Sequence, residues 1–380
     1  MTKIYLIRHC EAEGNIYRRA QGWYDGLPTP KGRRQAAALA ERFRDTPLDA
    51  LCSSDLARTV CTAEALRQYH KLPLRTDPRL REQNLGAWED VPFGNLAKDF
   101  PKMLYNFNND PAAFHTRGSE SFSALQTRIY SVLKEIAERN SGKTVAVVSH
   151  GMVLRAFLAR VQGLSSREML TLPHGDNTAV SLVEYQGGAF RVAYANDASH
   201  LTGPLSTFAR QSWWQNAEIA DANNVYFQRL DPQKYPRRYL DFYEKTWQAV
   251  HGNLQGFRPE LYLDAAMEHT RSCPDALVMI LRPDGEAVGV TELDTERARA
   301  ENAGWICLCY VEENYRRRLL GVQLIGHAVS LFRRLGSRSV RLNVFEGNTG
   351  AIRFYESCEF HIIGECDGVS GRLLVMEKLI

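Results

Sequence analysis

The chain has 380 residues, of which 44% are hydrophobic and 24% are charged, and its formal net charge is +3. This length exceeds what a single hydrophobic core usually supports, so the sequence predicts two domains. The basic residues are dispersed along the chain, apart from the run Arg316-Arg317-Arg318. The charge balance therefore argues against a nucleic acid or a membrane as a partner.

The apolar runs and the cysteines bear on the cellular compartment. No apolar run approaches the roughly 18 residues that a membrane-spanning helix needs, and Arg8 and His9 come too early for a secretory signal. The eight cysteines are scattered, with no Cys-x-x-Cys pair and no His/Cys cluster at zinc-binding spacing. These features predict a cytoplasmic protein with reduced thiols and no metal site.

Strand-like and helix-like patterns alternate from residue 1 to about 195, which is typical of a largely parallel sheet with helices on both faces. The predicted strands are Ile4–Ile7, Ala50–Ser54, Thr144–Val148, Thr178–Tyr185 and Phe190–Tyr194. The predicted helices are Arg33–Arg44, Asp55–Tyr69, Phe122–Arg139 and Met152–Gln162.

Two stretches interrupt this alternation. Residues 88–121 are rich in Phe, Asn and Pro and show little periodicity, so we expect a functional lid there. Residues 201–222 are predicted to be a connector, and their Trp213-Trp214 pair indicates docking rather than free flexibility. The predicted domains are therefore residues 1–200 and residues 223–380.

The pattern restarts in the second domain. Its predicted strands cover residues 226–230, 276–282, 287–293, 304–311, 339–345, 360–365 and 372–379. Its predicted helices cover residues 237–250, 258–271, 321–335 and 349–357.

Two histidines come just after predicted strands of the first domain. Ile4–Ile7 leads into Arg8-His9, and Thr144–Val148 leads into Ser149-His150-Gly151. Ligands of open α/β sheets bind outside the carboxyl ends of the strands, so both imidazoles are expected in one pocket. A histidine preceded by an arginine there indicates a nucleophile beside a cation that holds phosphate.

Phosphoryl transfer through a phosphohistidine needs a nucleophilic imidazole, cations for the equatorial oxygens and an acid for the leaving alcohol. His9 is the candidate nucleophile and Arg8 is the neighbouring cation. Arg58 begins a helix after a strand, and Glu82 lies in Arg81-Glu82-Gln83-Asn84-Leu85-Gly86. Taken singly, Arg58 and Glu82 are surface residues and His150 is a packed or capping residue.

Five ordered motifs together resemble the histidine phosphatase (phosphoglycerate mutase-like) superfamily over residues 1 to about 195. They are Arg8-His9-Cys10-Glu11 (with Ala12-Glu13-Gly14-Asn15), Asp25–Ala36, Ser53–Arg58, Glu82 with Gly86 and Trp88, and Ser149-His150-Gly151. The resemblance implies a three-layer α/β/α sheet of the phosphoglycerate mutase type. It also implies His9 as phosphate acceptor, Glu82 as proton donor, and a set of catalytic and phosphate-binding residues that also comprises Arg8, Asn15, Gln21, Gly22, Arg58, His150 and Gly151. Cys10 stands where the family usually has glycine, which could crowd the pocket or expose an oxidisable thiol.

Hydrolysis and isomerisation remain alternatives for this domain. The insertion Asp90–Ser121 is short, mainly apolar and amide-bearing, and its only cations are Lys98, Lys102 and Arg117. Mutases that resemble the glycolytic enzyme carry a longer and more basic insertion, so a phosphomonoesterase acting on small organic phosphates is favoured. Arg18-Arg19 keeps a phosphorylated acid open as substrate. No metal or other cofactor is expected for the phosphoryl step.

The second domain carries a strand, a basic turn and a helix, in the order Gly304–Val311, Tyr315–Arg318 and Leu319–Ile325. A turn into a helix N-terminus presents free N–H groups to a pyrophosphate. Together with the block Asn348 to Phe360, this resembles the GNAT acetyltransferase superfamily over residues 223–380. The resemblance implies an α/β fold with a mixed, mostly antiparallel sheet, and acetyl-CoA held by Val311, Arg316, Arg317, Arg318, Leu319, Leu320, Gly321, Val322 and Asn348.

The same resemblance implies that Tyr355 protonates the CoA thiolate, and Glu292 is a speculative base for the amine. Leu319 replaces the first glycine of the loop, and its side chain could obstruct the pyrophosphate. Three functions therefore compete: a phosphatase with an active N-acetyltransferase, a phosphoglycerate mutase-type isomerase, and a phosphatase with a non-catalytic CoA-binding or scaffold domain. The expected partners are a phosphorylated metabolite, acetyl-CoA and an amine acceptor. The oligomeric state is left open.

Overall fold

The computed structural model describes residues 1–210, 224–369 and 371–380. The described residues form two compact units. The first unit comprises residues 1–15, 19–91 and 96–210. The second unit comprises residues 16–18 and 92–95 and the described residues from 224 onwards. Trp213 and Trp214 lie outside the described residues, so the predicted docking of this pair stays a prediction, as do the limits of the connector.

Every predicted strand and helix of the first 200 residues is present in the predicted order. The strands are β1 (Thr2–Arg8), β2 (Ala50–Ser53), β3 (Leu74–Thr76), β4 (Thr144–Ser149), β5 (Val180–Gln186) and β6 (Ala189–Asp197). The helices are α1 (Glu13–Tyr17), α2 (Pro30–Phe43), α3 (Ala57–Leu66), α4 (Phe93–Asp99), α5 (Pro101–Asn109), α6 (Phe122–Arg139) and α7 (Gly151–Val161). Of these elements, β3, α1, α4 and α5 are present in addition to the predicted ones.

The sheet of the first unit has the strand order β3-β2-β4-β1-β5-β6. Strands β3, β2, β4 and β1 are parallel to each other. Strand β5 is antiparallel to β1, and β6 is antiparallel to β5. Arg8 at the end of β1 is in register with Ser149 at the end of β4. The residues that follow β1, β2 and β4 therefore meet at one edge of the sheet.

Two apolar cores flank this sheet. Helices α6 and α7 cover one face, where Leu125, Ile129 and Phe157 pack against the strands. Helices α2 and α3 cover the other face through Leu39 and Leu66. The predicted three-layer α/β/α arrangement is confirmed.

Helix capping explains where two of these helices begin. The Thr29 hydroxyl accepts a hydrogen bond from Gly32 N and precedes Pro30 in the first turn of α2. The Ser121 hydroxyl does the same for Ala124 N in α6. A hydroxyl at the N-cap satisfies a backbone N–H that has no partner inside the helix.

The insertion at residues 88–121 is more regular than its sequence indicates, since it contains the helices α4 and α5. Aromatic side chains hold it together, because the rings of Phe100, Phe107 and Phe114 lie 5.1–6.3 Å from the Trp88 ring, centroid to centroid. The helices are short and neither has a full apolar stripe, which is why periodicity did not reveal them.

The second unit has a larger sheet. Its strands are β7 (Tyr226–Arg229), β8 (Leu277–Leu281), β9 (Ala287–Asp294), β10 (Ala303–Val311), β11 (Ser339–Phe345), β12 (His361–Gly368) and β13 (Gly371–Leu379). Its helices are α8 (Pro236–His251), α9 (Pro259–Ser272), α10 (Leu320–Arg334) and α11 (Thr349–Ser357).

The strand order of this sheet is β12-β13-β11-β10-β9-β8-β7, and β10 and β11 form its parallel pair. All other neighbours are antiparallel, so the predicted mixed, mostly antiparallel sheet is confirmed. Strand β10 pairs with β11 over Ala303–Ile306, and its register with β9 shifts between Ile306 and Leu308. Within the described ranges, no helix is long and apolar enough to cross a membrane.

Candidate active sites

His9 lies directly after β1 and is 4% exposed. Its Nδ1 atom is 2.7 Å from the carbonyl oxygen of Cys10, which accepts a hydrogen only if Nδ1 carries the proton. The lone pair of the ring is then on Nε2, the atom that a nucleophilic imidazole uses. A single backbone contact thus selects the tautomer.

Burial lowers the pKa of His9 well below its ordinary value, and the positive charges of Arg58 and Arg8 lower it further. The pKa of His150 is lowered for the same reasons, first by burial and then by Arg58. Both imidazoles are therefore neutral at physiological pH. A neutral ring is the form that attacks phosphorus.

Arg8 and Arg58 are fixed by backbone carbonyls. The Nη1 atom of Arg8 donates to Gly175 O at 2.6 Å. The fully buried Arg58, from the first turn of α3, donates to Tyr24 O at 2.9 Å and to Gly22 O at 2.7 Å. Burial lowers the pKa of Arg58 to about 10, so the guanidinium remains charged at neutral pH. Two rigid cations therefore border His9.

His150 follows β4, and its ring centroid lies 5.2 Å from that of His9. Its Nε2 atom is 3.0 Å from the Ser54 hydroxyl. His150 Nδ1, Arg8 Nε and Arg58 Nε are buried and have no hydrogen-bond partner among residues 1–210, 224–369 and 371–380. Unpaired buried nitrogens are costly, so three of them in one site indicate a place built for an anion.

The carboxylate of Glu82 lies at the N-terminus of α7. One carboxylate oxygen accepts from Val153 N at 2.8 Å and from Gln83 N at 3.0 Å, and the other accepts from Met152 N at 2.9 Å. Its negative charge acts on both Arg8 and Arg58. The backbone of α7 therefore holds the half-buried Glu82 carboxyl group beside the two cations.

The other predicted phosphate-site residues belong to the loop after β1 or to α7. Asn15 accepts from Ala12 N at 2.9 Å and Gln21 accepts from Gly14 N at 2.9 Å, so both side chains shape the loop. Gly22 presents the carbonyl that binds Arg58. Gly151 lies against Arg8, because a Cβ atom there would be 3.4 Å from Arg8 Nε. Their predicted contacts with substrate stay predictions.

Glu89 is a positioning residue that the sequence did not reveal. Its carboxylate accepts hydrogen bonds from Gly22 N, Trp23 N, Tyr24 N and Leu85 N at 2.8–3.2 Å. These contacts fold the loop whose carbonyls hold Arg58. In the sequence Glu89 looks like a surface carboxylate, and only its place next to Trp88 in a family motif was a signal.

Arg155 of α7 is a further positioning residue that the sequence did not reveal. Arg155 donates to Leu170 O and Leu172 O at 2.7 Å and lies 3.1 Å from His174 Nε2. These contacts tie residues 170–174 to α7.

Cys10 does not face the phosphate-binding groups. It is buried, its N–H donates to Thr62 Oγ1 at 2.9 Å, and its thiol lies 3.7 Å from Arg58 O. The pKa of Cys10 is raised well above its ordinary value, first by its hydrogen bond with Cys61 and then by burial. The expected crowding of the pocket and the exposed thiol are therefore both absent at Cys10.

Residues 4–198 match the model of the histidine phosphatase superfamily (branch 1). The chain belongs to this superfamily. A related protein named probable phosphoglycerate mutase GpmB, from Yersinia pestis (strain Pestoides F), is 33% identical over 209 residues, which are 54% of this chain and 97% of that protein. Among solved structures, Bacillus stearothermophilus YhfR is 34% identical with a TM-score of 0.51, over 53% of this chain and 99% of that chain.

Outside the histidine phosphatase domain, a second candidate site lies at the start of α10. Leu319 precedes this helix with a φ angle of 61° and makes no side-chain cap, and Arg317 has the same positive φ. Arg316 Nε donates to Val311 O at 3.0 Å, which ties the loop to the end of β10. The first-turn N–H groups of α10 therefore have no capping side chain, as an anion site at a helix N-terminus requires.

The remaining predicted CoA residues lie around this helix. Leu320 is buried, and a Cβ atom on Gly321 would lie 3.0 Å from the Phe354 ring, so Gly321 allows α10 to approach α11. Asn348 caps α11 by accepting from Ala351 N at 3.1 Å. Val322 is half-buried and the side chains of Arg317 and Arg318 are exposed. The predicted contacts of all these residues with acetyl-CoA stay predictions.

Tyr355 on α11 is a protonated phenol. Burial raises its pKa well above the ordinary value, and the neighbouring thiols of Cys309 and Cys358 add to the effect. Glu292 is less suited to be a free base, because it is buried and accepts hydrogen bonds from Tyr239 OH and His269 Nδ1, each at 2.8 Å. Residues 247–360 match the model of the acetyltransferase (GNAT) family, which confirms the resemblance of the second domain.

Proposed function

We propose that the histidine phosphatase domain is a phosphomonoesterase that acts on small organic phosphates through a phosphohistidine at His9. The observation that carries this proposal is the hydrogen bond from His9 Nδ1 to Cys10 O, because it leaves the lone pair on Nε2 beside two fixed arginines. The unpaired nitrogens of Arg8, Arg58 and His150 support a phosphate at this place.

In the proposed reaction His9 Nε2 attacks phosphorus as the bond from phosphorus to the alcohol oxygen breaks. Arg8, Arg58 and His150 bind the equatorial oxygens. Glu82 takes up the proton of a monoprotonated phosphoester when the substrate binds and gives it to the leaving alkoxide. Water then attacks the phosphohistidine, the bond between phosphorus and Nε2 breaks, and Glu82 takes a proton from the water. Inorganic phosphate leaves with that proton, so His9 and the Glu82 carboxylate return to their starting states.

A mutase is the second candidate, and the relative named as a phosphoglycerate mutase favours it. The two candidates differ in whether the phosphoryl group leaves the enzyme on water or on the sugar acid. Incubation with 3-phosphoglycerate and with a panel of phosphomonoesters separates them. Phosphate release from the panel without isomerisation supports the phosphatase, whereas isomerisation that outpaces release supports the mutase.

The pH profile of the phosphatase tests the state of His9. Because its pKa is lowered, the neutral nucleophile persists as the pH falls through 6.5, the ordinary value for histidine. We expect kcat/KM, which reports on groups of the free enzyme, to decline only well below that pH. Two substrates that differ in their second phosphate pKa separate the titration of the substrate from that of His9. A decline centred at 6.5 with both substrates contradicts the proposed environment of His9.

For the second domain we propose an acetyl-CoA-dependent N-acetyltransferase. The N-terminus of α10 and the loop from Val311 to Val322 would hold the pyrophosphate, which fits their uncapped N–H groups and the nearby arginines. When bound, acetyl-CoA supplies the acetyl group of its thioester to an amine, and the CoA thiolate is the leaving group. Tyr355 has the protonated phenol that a donor to the departing thiolate needs.

The substitution Leu319→Gly tests this loop. A left-handed φ costs leucine roughly 1–2 kcal/mol, and the greater unfolded-state freedom of glycine offsets about 0.4–1 kcal/mol of that gain. We expect an unchanged or slightly higher Tm without ligand. We also expect a larger rise in Tm with acetyl-CoA, because the 55% exposed side chain no longer stands at the helix N-terminus.

Leu335→Gly is the matched control, since Leu335 is 54% exposed and ends the same helix with a φ of −83°. Glycine there should lower Tm and leave the acetyl-CoA shift unchanged. If acetyl-CoA shifts neither the wild type nor Leu319→Gly, the domain does not bind this cofactor. Binding without turnover of any amine supports the scaffold alternative.

All eight cysteines are free thiols, which supports the proposed cytoplasmic location.

A further inference from the structure

Three side chains of types that can bind a metal lie close together in the second unit, on α9, β9 and β10. His269 of α9, Asp294 of β9 and Cys307 of β10 bring their ligand atoms within 4.8 Å of one another. The three side chains are half-buried, and those of His269 and Asp294 are 14% and 18% exposed. Nitrogen, oxygen and sulfur donors from three separate elements therefore converge at one point.

The His269 ring has a carboxylate partner of the kind that metal-binding histidines have. Its Nδ1 atom is 2.8 Å from Glu292 Oε1, and the other oxygen of Glu292 accepts a hydrogen bond from Tyr239 OH at 2.8 Å. A carboxylate that accepts from one imidazole nitrogen fixes the tautomer in which the other nitrogen is free to bind a metal. Tyr239 in turn holds Glu292 in place, and both residues are buried.

The second ring nitrogen faces the carboxylate of Asp294 at a distance that also suits a shared ion. His269 Nε2 lies 3.2 Å from Asp294 Oδ2. Zinc bonds of about 2.0–2.2 Å to nitrogen and oxygen at a tetrahedral angle separate those two atoms by about 3.4 Å. The Cys307 thiol lies within the same cluster, at the point where β10 changes register between Ile306 and Leu308.

We infer that His269 Nε2, the Asp294 carboxylate and the Cys307 thiolate bind a zinc ion, with Glu292 as the residue that orients His269. A neutral imidazole, a carboxylate and a thiolate balance the two charges of Zn²⁺. Binding releases the proton of the Cys307 thiol to solvent, because only the thiolate is a ligand. Three protein ligands leave the fourth tetrahedral position for a water molecule or another small ligand.

The competing explanation of the same contacts is an imidazolium that pairs with Glu292 and Asp294 and needs no metal. The two explanations differ in what the Cys307 side chain does. In the ion pair the thiol is a bystander, so its replacement leaves zinc affinity unchanged. In the zinc site it is a ligand, so its replacement by serine weakens the binding of zinc.

The test uses the full chain, freed of metal with a chelator and titrated with Zn²⁺ against a chromophoric chelator. We expect one zinc equivalent whose affinity falls by at least tenfold in Cys307→Ser and in Asp294→Asn. Glu292→Gln should weaken binding by about 10- to 100-fold, as is typical when an orienting partner is lost. Zinc that binds elsewhere on the chain contributes equally to the titration of every variant, so it cancels when a variant is compared with the wild type.

The controls are Cys366→Ser and His361→Ala, because both residues are exposed on β12 and lie outside the cluster. They should bind zinc as the wild type does. The Tm of each metal-free variant shows whether it is folded. Co²⁺ added to the wild type should give a thiolate charge-transfer band that Cys307→Ser lacks. If zinc affinity is equal in wild type and Cys307→Ser, and the band is missing from both, the site is the ion pair and the inference is wrong.

Discussion

His9→Ala is expected to lower phosphate release by about 10⁴-fold or more, as is typical when a nucleophile is removed from a group of residues that act together. The ring that forms the bond to phosphorus is lost, while Arg8 and Arg58 keep their backbone contacts and still bind the phosphate. The measurement is phosphate release together with an alkaline detergent quench of the reaction with a ³²P-labelled substrate, because phosphohistidine is stable in base and hydrolyses in acid. Wild type should trap a labelled, acid-labile phosphoenzyme, and His9→Ala should trap none.

His115→Ala is the matched control, because His115 is an exposed histidine of the same unit. It should retain both the activity and the labelled intermediate. The rise in Tm with acetyl-CoA should be unchanged in His9→Ala, since His9 has no part in the proposed CoA site. Near-normal phosphate release by His9→Ala would mean that another group is the nucleophile, and the proposed mechanism would then be abandoned.

Glu82→Gln is expected to separate substrates by their leaving groups. Loss of a general acid costs about 10²- to 10⁴-fold where the departing oxygen needs a proton. An alkyl phosphate should show this loss in kcat, whereas p-nitrophenyl phosphate should lose much less because its leaving group is stable as an anion. The amide keeps one acceptor for the backbone of α7 but loses the other.

The structural part of the Glu82 effect is measured by the same pair of substrates. A distortion at the start of α7 would move His150 and slow both substrates equally. Glu64→Gln is the control for charge, since Glu64 is an exposed carboxylate of the same unit that pairs with Arg67. Equal losses on the alkyl and aryl phosphates would remove Glu82 from the role of acid.

The sequence by itself determined the elements with strong periodicity and the order of the motifs. Phe122–Arg139 was predicted with the limits that the structure has, because a full apolar stripe and the capping residue Ser121 mark it. The predicted limits of Thr349–Ser357 also agree with the structure, where Asn348 caps the helix. The parallel strands β1, β2 and β4 could be predicted from their buried apolar runs, whereas the short and largely exposed β3 was not predicted. Once β1 and β4 are parallel neighbours, His9 and His150 must follow at the same edge.

Local sequence patterns did not predict the features that depend on contacts with distant parts of the chain. Helix α5 has no buried residue of its own and depends on aromatic packing against Trp88, which lies outside it. Glu89 looks like a surface carboxylate until the loop folds over it and four N–H groups need an acceptor. In both cases the stabilising partner is another part of the chain rather than the local sequence.

The same reason separates the two kinds of site in this protein. The residues proposed to bind phosphate come in recognisable motifs, so the sequence alone indicated the histidine phosphatase family and the residues to examine. His269, Asp294 and Cys307 lie 25 and 13 positions apart, with no metal-binding spacing, and the sequence predicted no metal site. Only the packing of α9 against β9 and the register shift of β10 bring their donors together. The tautomer of His9 is likewise a tertiary property, since it depends on where one backbone carbonyl points.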